Sequence, residues 1–406
     1  MGRYFYVARD FSGKRKEGII EANSDSDAVV NLRRQNLIPI EVHFIGEKGL
    51  SSIIATEKRV RGRVSLTELA VFSRQFATML DAGVPIIDIL DDLSKQTTNK
   101  YFGYVLSKIR RDIQEGSNFS MALSKHPKVF SPLYIALVRS GEESGNLPSV
   151  MEEIASYLED QIMLLRKVRQ AVSYPSVIIA FFIGVVSFVF LFLIPRFQQI
   201  FKSFGAKLPP LTMAVLNTSQ FFVKFLPFII GFLFLMWIFF LIYRRTPTGR
   251  KHIDTLKLKF PFFGKLMTKI SLARFARSLS TLLGGGVSIA MALDIVADTA
   301  GNVIIGNIIR KVRKGVIEGK VLGEEMRKYP IFPPMLVRMV SVGEETGRME
   351  DMLNRVSKFF RDEVDATLNI LTSILEPVLI IGLGIIVGIV VLAIYLPIFK
   401  LASTIR

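Results

Sequence analysis

Three stretches of nineteen residues, 176–194, 225–243 and 378–396, contain no charged side chain. As helix, each reaches nearly the ~30 Å of a bilayer's hydrocarbon core. A buried helix of a soluble domain accounts for one such run. Three of this length restrict the chain to a membrane protein with three crossings.

The remaining sequence is largely one unit written twice. Residues 69–80, LAVFSRQFATML, return at 272–283 as LARFARSLSTLL, an offset of 203. Gly83-Val84 returns as Gly286-Val287, and Glu115-Gly116 as Glu318-Gly319. After one net deletion the offset is 202: Gly141-Glu142-Glu143-Ser144-Gly145 returns as Gly343-Glu344-Glu345-Thr346-Gly347. Pro175 and Pro195 return as Pro377 and Pro397.

Each copy reads as six helices. Leu69, Phe72, Phe76, Met79 and Leu80 follow the spacing of one helical face. Phe102, Val105, Leu106, Ile109 and Ile113 follow another, repeated by Ile305, Ile308, Ile309, Val312 and Val316. Glycines stop the helices and prolines open them, with a sixth helix beginning at Pro148 and running through Met163. Helices with one apolar face each make a bundle. Residues 1–46 read as a ββαβ module with Ser24 or Asp25 as helix cap, too small for a catalytic domain and suited to an adaptor.

The expected fold class is mainly α, an integral membrane protein with three transmembrane helices, two homologous cytoplasmic six-helix bundles and the small ββαβ module. The expected domains are the module (1–46), a basic linker (47–65), bundle 1 (66–171), the first span (172–195), an external loop (196–222), the second span (223–243), a cytoplasmic connector (244–268), bundle 2 (269–373), the third span (374–397) and an external tail (398–406).

Charge sets the orientation. The formal net charge is +17, carried outside the apolar runs. With those runs present, an anionic membrane surface explains the balance better than nucleic acid does. Arg166, Lys167 and Arg169 precede the first span, and Arg244, Arg245, Arg250 and Lys251 follow the second. Only Arg196, Lys202, Lys207 and Lys224 lie between them. The excess of positive charge places both bundles and the N-terminus in the cytoplasm, with the C-terminus external. No signal-peptide core precedes the first run. At the third span the local charge is ambiguous. The repeat decides there, because twin spans cross in the same direction and the unmatched second span supplies the return.

These features resemble the inner-membrane platform protein of type IV pili and type II secretion, the PilC/GspF family. The duplicated bundle, the Phe-x-Arg-x-Leu/Phe-x-x-x-Leu-x-x-Gly-Val opening and the Gly-Glu-x-x-Gly turn carry the likeness, with Tyr174-Pro175 and Leu208-Pro209-Pro210-Leu211-Thr212. It covers almost the whole chain. The resemblance implies a non-catalytic protein of the bacterial inner membrane. It would couple a cytoplasmic hexameric assembly or secretion ATPase to pilin or pseudopilin subunits. Other inner-membrane assembly proteins, membrane lipid and further copies of the chain would be its remaining partners. The copies differ where Glu376-Pro377 stands for Tyr174-Pro175, and Ser288 for Pro85.

Chemistry in the sequence agrees with an absence of catalysis. His43, His126 and His252 lie far apart, without metal-ligand spacing, and there is no cysteine. Gly284-Gly285-Gly286 lacks the lysine of a phosphate loop and reads as a helix stop. No cofactor is expected. The pairs Glu142-Glu143 and Glu344-Glu345 admit three readings: solvated or cap-bonded carboxylates at a turn, a contact for a basic partner or second protomer, or part of a hard-cation site. Arg74 and Arg277 lie in mostly apolar helix faces and are expected to pair with those glutamates inside each bundle. Tyr174, Pro175, Glu376 and Pro377 mark the expected joints between bundle and membrane, where proline favours a kink. Gly184, Ser187, Gly231, Gly382, Gly384 and Gly388 suit close helix packing in lipid or a groove for a pilin helix.

The alternative function is an oligomeric transporter or channel component, disfavoured by spans without ionisable groups. A membrane-anchored enzyme lacks a catalytic constellation, and a nucleic-acid binder competes poorly with the membrane reading.

Overall fold

The computed structural model describes residues 2–10, 15–45, 62–196, 199, 210–260 and 263–404. Most of the linker 47–65, and residues 197, 198 and 200–209 of the expected loop 196–222, lie outside the described residues. The chain forms two compact units, one of Met1–Val64 with Leu90–Asp112, the other of Ser65–Ile89 with Ile113–Arg406.

The first unit opens with β1 (Gly2–Asp10), β2 (Arg15–Ala22), α1 (Asp25–Arg34) and β3 (Leu37–Ile45). The sheet is antiparallel in the order β2-β1-β3, so the expected ββαβ module is present. Tyr4 and Ala8 alternate onto one face of β1 and are buried with Ala28 and Leu32 of α1. The Ser24 hydroxyl accepts from the Asp27 N–H at 3.2 Å and caps α1.

The first copy of the repeat supplies α2 (Leu66–Asp81), α3 (Ile86–Gln96), α4 (Lys100–Gln114), α5 (Phe119–Ser124), α6 (Pro132–Ser144) and α7 (Leu147–Phe188). Residues 90–112 of α3 and α4 belong to the first unit, where Arg110 pairs with Asp91. Ser65 and Glu68 close a capping box at the start of α2. Phe76 stacks on Phe119 at 5.1 Å, and Phe130 meets Tyr134 edge-on at 5.1 Å. Ser73 and Tyr134 share a buried hydrogen bond of 3.0 Å. Their counterparts are Ala276 and Leu336, both buried. Replacing both partners leaves no unsatisfied polar group, so the second core tolerates the change.

Next come α8 (Pro210–Tyr243) and α9 (Pro247–Lys259). The second copy follows as α10 (Phe263–Gly284), α11 (Ile289–Thr299), α12 (Val303–Ile317), α13 (Leu322–Arg327), α14 (Pro334–Thr346) and α15 (Met349–Thr404). Gly145 and Gly347 each hold φ +69 at the sharp turn into the last helix of their copy.

Bundle and membrane share helices. α7 begins in the bundle, passes residue 172 without a break, and continues through a π turn (Val189–Leu193) to residue 196. α15 runs from residue 349 to residue 404. The sixth helix therefore does not end near Met163. No stop signal intervenes, and Val150, Ile154, Tyr157, Leu158 and Leu164 keep one buried face along it. The helical pattern also persists at Pro175; the change of hydrogen-bond register falls at the π turn instead. There the Phe190 carbonyl accepts from the Ser219 hydroxyl of α8 at 2.6 Å. Thr212 donates to the Ala393 carbonyl at 2.8 Å, and Ile194, Val215, Leu216 and Ala393 form a small core among the three spans. Large apolar side chains such as Phe228, Phe232, Trp237 and Phe239 stand exposed along α8, as lipid contact requires.

Candidate functional site: the seam between the repeats and the membrane joint

Arg74 and Arg277 occupy equivalent positions in α2 and α10, but neither is bonded to the glutamates expected from the sequence. Arg74 pairs with Glu152 and Glu159 of α7, its Nε and Nη2 lying 2.9 and 2.7 Å from the Glu159 oxygens. These bonds push the Arg74 pKa up and hold the Glu159 carboxyl below the usual carboxylate range. The helix α7 supplies two acids about two turns apart on one face, whereas Glu142 is turned toward another element.

The counterparts of Glu152 and Glu159 are Asn354 and Arg361. Arg277 therefore finds no carboxylate at those positions in its own copy. Its Nη1 donates to Asn354 Oδ1 at 3.0 Å, and its Nη2 to Ser156 of the first copy at 3.0 Å. Its acids also come from the first copy: Glu153 Oε1 at 3.1 Å and Asp160 Oδ2 at 2.8 Å. Asp160 pairs with Arg361 as well, at 2.5 Å. Thr281 donates to Glu153 at 2.9 Å, and Tyr157 meets Ser278 at 3.1 Å. Burial pushes the Tyr157 phenol up. The result is a charged seam locking α7 of the first copy to α10 and α15 of the second. Comparing acids and bases between the copies at 152/354 and 159/361 is the sequence signal that reveals it.

Glu142 and Glu344 do the same work in each copy. Glu142 accepts from the Phe119 and Ser120 N–H groups at 2.6 and 3.0 Å, capping α5. Glu344 accepts from Leu322 and Gly323 at 2.9 and 3.2 Å, capping α13. These carboxylates occupy the open N-termini of short helices. Glu143 and Glu345 are exposed. Glu143 lines a cleft of about 790 Å³ between the copies, shared with Glu152, Glu153 and Glu350 and floored by residues 284–286. Burial, then the neighbouring Glu153 and Asp351, push the Glu350 carboxyl up. Among the described residues, no group of three side chains is placed to hold a metal ion.

The joint residues come together. Tyr174 donates to Glu376 Oε1 at 3.4 Å across α7 and α15, so the position at which the copies differ is a contact between them. About two to three turns toward the bundles, Lys167 pairs with Asp365, and Leu164 packs against Val364, Leu368, Leu266 and Ile270. Pro175 is buried. The connector adds Asp254, unmarked in the sequence. Its Oδ2 accepts from the Val303 N–H at 3.1 Å, its backbone carbonyl accepts from Asn302, and Lys257 lies at 2.9 Å. Burial works to raise the Asp254 pKa, but Lys257 and the Val303 N–H outweigh it and hold the carboxyl low.

The profile described as "Type II secretion system (T2SS), protein F" matches residues 72–195 and again 275–397, and its N-terminal-domain companion matches 1–43. The two matched segments start 203 residues apart and end 202 apart, as the repeat does. The chain is 41% identical over 405 residues to "Type IV pilus assembly protein PilC" of Thermus thermophilus, covering 99% of this chain and 98% of that protein. It is 37% identical over 404 residues to the protein of that name in Myxococcus xanthus, covering 100% and 96%. It is 29% identical over 402 residues to "Type II secretion system protein F" of Vibrio cholerae, covering 99% and 98%. Matched in both copies and in the N-terminal module, the chain belongs to the type II secretion system protein F family, which includes the PilC proteins of type IV pilus assembly.

Proposed function

We propose that this chain is a non-catalytic platform in the bacterial inner membrane for type IV pilus assembly or type II secretion. It couples a cytoplasmic ATPase to the movement of pilin or pseudopilin subunits. The observation that carries the mechanical part is the unbroken helix in each copy, from bundle into membrane. A helix continuous from bundle to span transmits rotation or tilt of the bundle to its lipid-facing segment. Tyr174 and Glu376, with Pro175 and Pro377, lie where the two levers enter the membrane and keep them in register.

The basic flanks of the first two spans support cytoplasmic bundles and a cytoplasmic N-terminus, and the repeat supports an external C-terminus. Glu143 and Glu345, the exposed members of the two acidic pairs, offer contacts to a basic surface of the ATPase. Their neighbours Glu142 and Glu344 hold the turns that present them. Spans without ionisable groups disfavour a transport path.

Deleting the gene in its host tests the reading. The expected result is loss of surface filaments or of type II substrates in the medium, restored by the wild-type chain. Unchanged fibres and secretion would overturn it.

A further inference from the structure

Helix α9 starts four residues after the charge-free run 225–243 and folds back against its end. The Tyr243 phenol and His252 Nδ1 share a hydrogen bond of 2.7 Å. A Cβ at Gly249 would strike the Tyr243 carbonyl oxygen, so glycine lets the two helices approach this closely. The far end of α9 returns to the membrane as well. It leads into α10, which runs antiparallel to α15. Lys269 donates to Glu363 at 2.7 Å and to Thr367 at 2.9 Å, and Leu266 packs with Val364 and Leu368. Followed back along both helices at 1.5 Å per residue, that register sets Phe263 level with about residue 371, roughly two turns from the charge-free run 378–396. With both of its ends at the membrane entry, the 13-residue α9 lies along the surface.

The faces of α9 divide accordingly. Asp254 is buried toward the second bundle, bonded to Val303 and Asn302. At 100° per residue, Gly249, His252, Ile253, Leu256 and Phe260 fall in one stripe about 100° wide. Its first members are tucked under the end of the second span. The same stripe continues with Leu256 66% exposed and Phe260 54% exposed, and Phe263 joins Phe260 at 6.0 Å between ring centres. Arg250 and Lys257 flank the stripe on one side and Lys259 on the other, all exposed. An apolar stripe between two basic edges is the pattern of a helix lying in a lipid interface. This stripe is also continuous with the lipid-facing surface of α8, through Phe239 and Tyr243, which stack at 5.7 Å. At headgroup depth, Lys and Arg attract anionic lipid and aromatic rings favour the boundary between chains and water.

We infer that α9 is an in-plane anchor: Leu256, Phe260 and Phe263 sink among the lipid chains, and Arg250, Lys257 and Lys259 hold the phosphate-bearing headgroups of anionic phospholipid. Asp254 ties the anchored helix to α12, so the second bundle is fastened to the membrane surface by a route separate from its own span. The inference needs the three spans, and stands apart from which machine the chain serves and from which side its bundles face.

The chain has no cysteine, so one thiol-reactive fluorescent probe can be placed at a time. Full-length Leu256→Cys and Phe260→Cys chains are labelled and reconstituted in nanodiscs of phosphatidylcholine, with and without phosphatidylglycerol. Both probes are expected to be quenched by lipid carrying a nitroxide near its headgroup and shielded from aqueous iodide, more strongly with phosphatidylglycerol present. A probe at Lys311→Cys, exposed on α12, is expected to show the reverse. Lipid retained by the purified wild-type chain is expected to be enriched in phosphatidylglycerol. Arg250→Gln/Lys259→Gln is expected to lower that enrichment several-fold, and Lys251→Gln, opposite the stripe, to leave it nearly unchanged. Hydrogen-exchange protection of residues 303–317 checks that the double variant is folded; the labelled chains decide the matter if it is not. Probes at 256 and 260 as open to iodide as the one at 311 would overturn the inference. So would shielding from iodide without quenching by the nitroxide lipid, which puts a protein surface on the stripe, or undiminished enrichment in the folded double variant.

Discussion

At Asp160 one carboxylate meets guanidinium groups from two helices of the other copy, with its side chain 19% exposed and that of Arg277 10% exposed. Removing a partner at such a site leaves charge uncompensated in a poorly hydrated place. Asp160→Asn should therefore cost about 2–3 kcal/mol. Glu152→Gln, at a side chain 58% exposed, should cost less than about 1 kcal/mol. Unfolding of the detergent-solubilised variants measures both; equal losses would contradict the seam. Glu142→Gln should cost about 1–2 kcal/mol, because an amide cannot accept from both N–H groups at the start of α5. Loss of hydrogen-exchange protection confined to residues 119–124 would identify that effect. The acidic pairs were visible as a motif in the sequence, and cap-bonded carboxylates were one of its open readings. Their bonding targets were not visible, since Glu142 caps a helix 23 residues upstream. Arg74 and Arg277 stood out as charges on apolar faces, but their acids lie on α7, selected by packing rather than by local spacing.

Helices α7 and α15 carry both the core of a bundle and a membrane span. The spans were legible as charge-free runs, and the bundle helices as 3-4-3 spacing. The absence of a boundary between them was not. A helix that leaves protein for lipid needs no stop signal, only a change in what surrounds its apolar face. Pro175 marks the expected joint because proline removes one backbone hydrogen bond, and the remaining turns carry the helix through it. The π turn at 189–193 has no sequence signature, and its Phe190 carbonyl accepts from Ser219 of α8. One alanine inserted after Ala171 should turn the span by about 100° relative to its bundle. Thiol cross-linking between Tyr174→Cys and Glu376→Cys should then fall sharply, while membrane insertion persists. Unchanged cross-linking would show that the helix flexes instead of transmitting the turn.

Across the whole molecule the duplication organises fold and function together. It supplies two bundles and two parallel spans, with one unmatched helix, α8, to bring the chain back. Its departures from symmetry carry the rest. Asn354 and Arg361 in place of Glu152 and Glu159 send the second copy to the first for its acids, and Glu376 in place of Tyr174 gives the membrane joint its contact. The partners are written only in the family resemblance, since no residue of this chain names an ATPase or a pilin by spacing alone. Affinity purification of the tagged chain from native membranes, with identification of what accompanies it, therefore tests the platform most directly. The account predicts a secretion-type ATPase and pilin-like subunits, with Glu143→Lys and Glu345→Lys together lowering recovery of the ATPase but not of the pilin-like subunits. Recovery of neither, or of solute-transport components in their place, would contradict it.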